Sequence, residues 1–438
     1  MDPTGTTDEL PGIPAGPRGS VWRTTWRFMR DRKELIPRLH EQYGDTFSLQ
    51  IMPGPRTFVV FSDPADVKEI FAADPAQFHA GEGNAILGPV MGENSVLLVD
   101  DAAHQRARKL LMPAFSGAPM RGYVPLVEAV AKAEVDSWDA SRTLVTLDRM
   151  NAITLEIILR VVFGVTDPAR LDALRPMVNR MVDIDAKMLL AWSYPRLAAV
   201  PPWRGYFRNQ AAVDELLYAE IRERRAATDL DVRDDVLSRL LRVGGDDTAP
   251  LTDTELRDQL VTLLLAGHET TASALSWTLH ELGRDPERHA LATAAADEGD
   301  DAYLEACLKE AMRLHPVIDF VARTLQSEQV VGGRRLPRGV TVTPSIMLSH
   351  SREQSFADAH LFRPERFTAG EVAPNTWIPF GGGARRCLGA AFSLMEGTVV
   401  LREVLLRHTV HADRPAPNLL RNITNVPGDR APLTLTPR

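Results

Sequence analysis

Cysteine is nearly absent: Cys307 and Cys387 are the only two in 438 residues. So few cysteines exclude a disulfide framework and suit a reducing compartment. Long apolar runs are missing too, since no stretch approaches the roughly twenty residues needed to span a bilayer. The first nineteen residues are rich in Pro, Gly and Thr and hold no apolar signal core, so they read as a flexible tail. Excess positive charge is also lacking. The formal net charge is −8, which gives no global attraction for nucleic acid or an anionic membrane. Neither an internal repeat nor a second compositional regime appears. What remains is 44% apolar and 25% charged, the make-up of an ordinary globular protein. Residues 1–438 therefore read as a single domain, expected to be monomeric and cytoplasmic. Trp22, Trp26 and Phe28 could touch a membrane surface, but a packed first helix is the expectation.

The residues present sort into elements along the chain. Residues 33–43 read as a helix ending at Gly44. Phe47–Ile51 and Thr57–Phe61 alternate as two strands around Pro53-Gly54-Pro55. Asp63-Pro64 opens a second helix. His79 to Asn94 is glycine-spaced and reads as a surface loop able to shape a pocket. From about 120 to 243 the pattern is almost wholly helical, with breaks at Asp167-Pro168 and Pro195–Pro202. Met177, Met181, Met188, Leu189, Leu190 and Trp192 there suit either an adaptable pocket roof or ordinary core. A linker over 244–250 follows. Thr252-Asp253-Thr254-Glu255 then makes a capping box, and apolar periodicity runs to about Leu282. About thirty residues at about 1.5 Å each predict a helix about 45 Å long. Gln329–Val331 and Arg334–Leu336 flank Gly332-Gly333 as a tight hairpin, and 340–345 reads as a further strand.

The chain turns on residues 377–394. Three adjacent glycines, Gly381 to Gly383, cannot stably hold helix or strand, so the stretch up to Arg386 reads as a loop. From Leu388 to about Leu406 apolar residues recur at helical spacing. Cys387 thus sits where a loop hands over to a helix, whose unpaired N–H groups and partial positive charge favour a thiolate. Gly383 and Gly389 leave room for something flat, and Arg385 is suited to pairing with a carboxylate. Thiolate, bare backbone and carboxylate clamp together suit axial ligation of haem iron. A lone cysteine is otherwise most often inert core. A dinucleotide loop fails because Arg386 stands where a third glycine belongs and no strand-first unit surrounds it. A phosphatase-type thiolate would want its arginine after the cysteine, whereas both precede it.

Phe380-Gly381-x-Gly383-x-Arg385-x-Cys387-x-Gly389 resembles the haem-binding signature of the cytochrome P-450 family at every defined position. The resemblance implies that Cys387 is the proximal metal ligand and that Phe380, Gly381, Arg385 and Gly389 contact the cofactor, haem b (iron protoporphyrin IX). Ala266-Gly267-His268-Glu269-Thr270 is similar to the family's oxygen-activation pattern. A mid-helix glycine there costs about 1 kcal/mol against alanine. Small Ala266 and Gly267 would admit the flat cofactor, while Thr270 can bond its own backbone and loosen the helical ladder. The resemblance assigns Thr270 to stabilising iron-bound oxygen and Glu269 to proton delivery. His268, at the variable position, is expected to be structural. His104 and Arg108, four apart on one helix face, resemble the propionate-binding helix, with Phe115 following. Arg323 stands where another propionate arginine is usual. Glu310-x-x-Arg313 and Arg366 in Phe362–Phe367 resemble a buried triad that holds the cysteine loop.

By the same resemblance the substrate pocket is expected to include Ile86, Leu87, Met181, Leu265, Val317, Asp319 and Val426. Asp319 could anchor a polar substrate group, although a solvent-facing position is the first expectation. The fold implied is mainly α with a smaller β-rich region, a single-domain cytochrome P-450 fold with haem between the long central helix and the cysteine loop. The function implied is a monooxygenase that inserts one atom of dioxygen into a lipophilic small molecule such as a fatty acid, terpenoid or polyketide. About fifty residues follow Cys387, too few for a flavin reductase domain. Electrons are therefore expected from a separate ferredoxin or flavodoxin with an NAD(P)H-dependent reductase, docking on Arg106, Lys109 and Arg386. The alternatives are a peroxide-driven peroxygenase or isomerase, against which Glu269-Thr270 argues, and a non-catalytic haem sensor.

Overall fold

The computed structural model describes residues 11–52, 56–165, 167–182, 196, 199–201, 203–242, 249–421 and 423–438. The Pro53–Pro55 turn, residues 188–192 of the expected pocket roof and 244–248 of the linker lie outside the described residues. The chain divides into two compact units.

One unit combines residues up to Asn84 with Asp319–Ala359 and Ala373–Arg386. Its five-stranded sheet runs in the order Thr46–Ile51, Arg56–Phe61, Thr341–Pro344, Arg323–Leu325, Phe78–His79. The first two strands, expected over Phe47–Ile51 and Thr57–Phe61, pair antiparallel with Thr46 opposite Phe61. Arg56–Phe61 and Thr341–Pro344 pair parallel. Because side chains alternate across a strand, Phe47, Leu49 and Val60 enter one core with Leu35, Ile36 and Leu39 of the Arg32–Tyr43 helix. Val59 and Phe61 enter the other, with Ile70, Phe78 and Val342. Asp63 caps Pro64–Ala72 by accepting from Ala65 N at 2.8 Å. The expected hairpin forms as Gln329–Val331 against Arg334–Leu336, with Gly332 and Gly333 at φ +56° and +68°, a conformation that favours glycine.

Asp319 departs from expectation. Its carboxylate is buried and ion-paired to Arg32 Nη1 at 3.4 Å and Lys33 Nζ at 3.5 Å. It neither faces solvent nor keeps its charge uncommitted for a substrate group. Arg32 also lies over the Phe28 ring at 4.3 Å and the Phe320 ring at 5.0 Å, so the cation is shared between carboxylate and aromatic faces.

The other unit, Ala85–Ile318 with His360–Val372 and Cys387–Arg438, is mainly helical. The expected 253–282 helix is two segments, Asp253–Gly267 and Glu269–Arg284, meeting at His268. It starts at the expected capping box: Glu255 N donates to Thr252 Oγ1 at 3.2 Å and Thr252 N donates to Glu255 Oε2 at 2.8 Å. Nearly every side chain of Glu269–Arg284 is buried, and the helix packs on Thr146–Phe163.

Residues 88–94, part of the loop expected over His79 to Asn94, are more ordered than that expectation. Gly88–Met91 forms one helical turn. Beyond it Asn94 N and Nδ2 donate to Asp258 Oδ2 at 3.0 and 2.8 Å, and Gln259 Oε1 accepts from Val96 N at 3.1 Å. Gly92, at φ +86°, lies so close to Asp258 that a Cβ would stand 2.0 Å from its carboxylate oxygen. Polar side chains of the central helix pin a segment whose composition alone reads as loose.

Candidate active site

Cys387 lies three residues before the helix Ala390–Leu405, with Gly389 as its N-cap. The helix thus begins two residues later than the periodicity suggests, leaving Leu388 and Gly389 in the turn. Cys387 is exposed although Ala390 and Phe392 just beyond it are buried. Phe392 meets Phe115 and Tyr123 edge-on at 6.2 and 6.0 Å between ring centroids. Gly389 has nothing within 4 Å of where a Cβ would stand. Cys307, by contrast, is buried in an apolar cluster where burial pushes its thiol well above the ordinary range. The two cysteines therefore differ in kind: one is core, the other presents its sulfur.

The preceding loop belongs to the sheet-bearing unit. Gly381 and Gly383 both sit at φ +63°, and Gly383–Arg385 forms one 3₁₀ turn. A Cβ on Gly382 would stand 2.3 Å from the Phe71 ring, and one on Gly383 would stand 1.9 Å from the Phe71 carbonyl oxygen. Gly383 is therefore required by the Pro64–Ala72 helix beneath it rather than by clearance for a flat ligand. Ile378 N donates to His350 Nε2 at 2.8 Å, which holds the start of the loop and fixes that nitrogen as an acceptor. Arg323 is buried and donates from Nη1 to Ala322 O at 2.7 Å. Phe380 meets Trp377 edge-on at 5.8 Å, and Arg385 is half-buried.

The helix break carries the acid and hydroxyl. Thr270 Oγ1 donates to Ala266 O at 2.7 Å, the backbone contact its position predicts. Glu269 is buried, and its Oε1 lies 3.5 Å from Arg421 Nε, an ion pair longer than a well-aligned hydrogen bond. His268 is structural: its Nδ1 lies 2.9 Å from Leu264 O, its carbonyl accepts from Thr154 Oγ1 at 3.0 Å, and burial lowers its pKa. Ala266 is exposed and Leu265 half-buried. Gly267 corrects the expectation. A Cβ there would meet Ile158 Cδ1 at 2.8 Å, so its smallness serves the approach of Thr146–Phe163.

The expected triad is assembled and buried. Arg313 grips Glu310 with Nε to Oε2 and Nη2 to Oε1, both at 2.8 Å, and Arg366 Nε reaches Oε1 at 3.0 Å. Arg363 N adds 2.9 Å to the same oxygen, so sequence-distant backbone closes the network. The helix bearing Glu310 packs on Ala390–Leu405, where Gly397 admits Leu308.

Of the pocket expectations, Met181 and Val426 are fully buried, Leu87 and Val317 are half-buried, and the Ile86 side chain lies outside the described residues. Val426 is on a hairpin, Asn418–Arg421 with Thr424–Pro427. Ser273 Oγ donates to Asn425 O at 2.5 Å, while Asn425 N and Nδ2 donate to Val317 O and Pro316 O at 2.8 Å each. Asn425 and Arg421 escaped sequence reasoning, because each acts on a residue more than a hundred positions away. His104 is buried on Asp101–Leu111, and Arg108 is half-buried one turn on. Arg106 is already committed, with Nη1 donating to Glu255 Oε1 at 2.6 Å, while Lys109 and Arg386 are exposed.

Within the helical unit the chemistry of these residues fits a haem: an exposed cysteine two residues before the open space at Gly389, the small exposed Ala266 one residue before the end of the first helix segment, and His104 with Arg108 one turn apart. Among the described residues no group of three or more His, Cys, Asp or Glu is gathered for a metal ion.

The sequence profile of the family described as Cytochrome P450 matches residues 14–427, and the chain belongs to that family, a class of haem-thiolate monooxygenases. A protein of Mycobacterium tuberculosis designated cytochrome P450 135A1 is 50% identical over 430 residues, covering 98% of this chain and 96% of its own length. Another from that organism, designated cytochrome P450 135B1, is 41% identical over 428 residues, covering 95% of this chain and 90% of its own. Among solved structures, retinoic acid-bound cyanobacterial CYP120A1 superposes with a TM-score of 0.85 at 23% identity, covering 98% of this chain and all of its own. The haem domain of cytochrome P450DA gives 0.84 at 24%, covering 98% of each. The fold is the cytochrome P450 fold, mainly helical with a smaller strand region.

Proposed function

We propose that the protein inserts one atom of dioxygen into a lipophilic small molecule, by C–H hydroxylation or epoxidation, using electrons from a separate ferredoxin or flavodoxin. The observation that carries this reading is the helix break at His268, where a buried acid stands beside a hydroxyl turned onto its own backbone, in the same compact unit as an exposed cysteine sulfur. A haem b bound through Cys387 supplies dioxygen activation and oxygen transfer. Its sulfur lies just ahead of a helix N-terminus, where partial positive charge favours thiolate. His104 and Arg108 supply a donor and a permanent cation for propionates. Glu269 takes protons from solvent and passes them on at the helix break, its carboxylate oriented by the guanidinium of Arg421, which is more than a third exposed and stays charged. Thr270 receives them at its hydroxyl. For Arg323, Phe380, Gly381 and Arg385 the support is the family signature. The buried apolar side chains of Met181 and Val426 support an apolar ligand. The electron source is a reductase-coupled iron–sulfur or flavin protein, and the location is cytoplasmic.

The test has two parts. The reduced protein with carbon monoxide is expected to give the optical spectrum of a thiolate-ligated haem, and Cys387→Ser to lose it. A compound screen read by haem absorbance, followed by product analysis with a reductase pair, is then expected to yield an oxygenated product. Unchanged spectra in Cys387→Ser overturn the ligand assignment. Faster turnover with peroxide alone than with dioxygen and reductase overturns the monooxygenase reading.

A further inference from the structure

The helix Val21–Arg30 presents three faces. Phe28 is buried, packing on Phe320 at 5.6 Å between centroids, and Thr25 Oγ1 accepts from Met52 N at 3.0 Å. These contacts fix which way the helix faces. On the outward side Trp22, Trp26 and Met29, spaced four and three residues apart, are 70%, 56% and 47% exposed. At 100° per residue they fall in one stripe along the helix axis. Arg23, Arg27 and Arg30 fall in a second stripe beside it, and the helix holds no acid. Trp22 and Trp26 are the only exposed tryptophans among the described residues. Between Arg18 and Lys33 the sequence has six cations and one acid, Asp31, which pairs with Arg30 at 3.7 Å. Arg32 and Lys33 turn inward to Asp319, leaving Arg18, Arg23, Arg27 and Arg30 for the outside.

From these contacts we infer that this helix docks flat on an anionic lipid bilayer, its tryptophans and methionine entering the headgroup region and its arginines pairing with lipid phosphates. Tryptophan is at home in that layer because its body is apolar and its indole N–H is polar. Arginine forks match phosphate geometry. A whole-molecule charge of −8 does not oppose this, because charges beyond about 10 Å are screened at about 0.1 M salt and the patch is locally cationic. No helix among the described residues is long and apolar enough to cross a membrane, so the contact is interfacial. An acidic protein partner would satisfy the arginines but would leave two neighbouring tryptophans without an apolar layer. The exposed tryptophans beside the arginines therefore favour lipid.

The experiment uses the full-length haem-loaded protein and co-sedimentation with vesicles of phosphatidylcholine alone or with about one third phosphatidylglycerol. Binding to the anionic vesicles only, weakened by salt, is expected. Trp22→Ser with Trp26→Ser, and separately Arg23→Gln with Arg27→Gln and Arg30→Gln, are each expected to lower partitioning at least about tenfold. Both sets change exposed or half-buried side chains, and an unaltered carbon monoxide spectrum reports that the fold persists. Equal binding to neutral and anionic vesicles, or variants that bind as the parent does, overturns the inference. So does absence of vesicle binding, including the case in which the parent self-associates in solution and the tryptophan variant does not.

Discussion

Glu396 shows how much a single buried side chain can weigh. Both its carboxyl oxygens are buried without a hydrogen-bond partner among the described residues, and burial alone pushes its pKa well above 4.5. The folded protein therefore keeps this proton where the unfolded chain releases it. The group's contribution to stability is complete below about pH 4.5 and is lost as pH rises. Glu396→Gln, which keeps the shape and removes the titration, is expected to raise Tm at neutral pH and to flatten its decline above pH 4.5. Matching Tm curves for parent and variant would refute the buried neutral acid. Nothing in the sequence marks this glutamate, because it stands in a helix where a solvent-facing acid would look identical.

At the scale of elements, glycine and charge account for the packing. Gly267→Ala adds about 1 kcal/mol of helix propensity but drives a methyl into Ile158, an overpacking cost of about 1–3 kcal/mol. Destabilisation is expected for the single variant and recovery with Ile158→Val, which removes the clashing Cδ1. Loss of haem binding without a change in apoprotein Tm would instead return Gly267 to the role of cofactor clearance. Glu310→Gln strips the negative charge from between Arg313 and Arg366 and leaves buried cations facing a neutral amide, at a cost of roughly 3–5 kcal/mol. Thermal melts and retention of haem on dilution measure it. Most of this architecture was legible beforehand. The capping box at Thr252, the cap at Asp63 and the Gly332-Gly333 hairpin are local signals, and each reads within four residues. The motif residues of the candidate site were legible through the family signature. What escaped was long-range: Asp258 pinning Asn94, Ile158 facing Gly267, Arg421 reaching Glu269, Asn425 bridging Ser273 and Pro316. Periodicity says which face of a helix is apolar but not which distant residue meets it. Asp319 misled for the same reason, since its partners lie nearly three hundred residues earlier.

For the whole molecule, buried histidines set an acid limit. His280 Nε2 accepts from Ala416 N at 3.0 Å and His289 Nε2 accepts from Val410 N at 3.1 Å, so both rings must stay neutral to serve as acceptors. Burial lowers the pKa of each, and of His268, below 6.5. The unfolded chain takes up these protons first. The histidines' contribution to stability is therefore full above about pH 6.5 and is lost as the solution is acidified through and below it. Denaturant midpoints measured downward from neutral pH are expected to fall from about pH 6.5, before the carboxylates titrate. A midpoint unchanged to pH 5 would mean that these rings take up protons in the fold as readily as in the unfolded chain.

The 2.7 Å contact from Thr270 to Ala266 carries one more consequence. A hydroxyl owns a single hydrogen and two lone pairs, and here the hydrogen is already spoken for. Toward any visitor at the bend it is an acceptor, so it welcomes groups that bring their own hydrogen and is indifferent to bare oxygens. The bend thereby acts as a polarity filter, and reversing it requires the threonine to let go of its own helix.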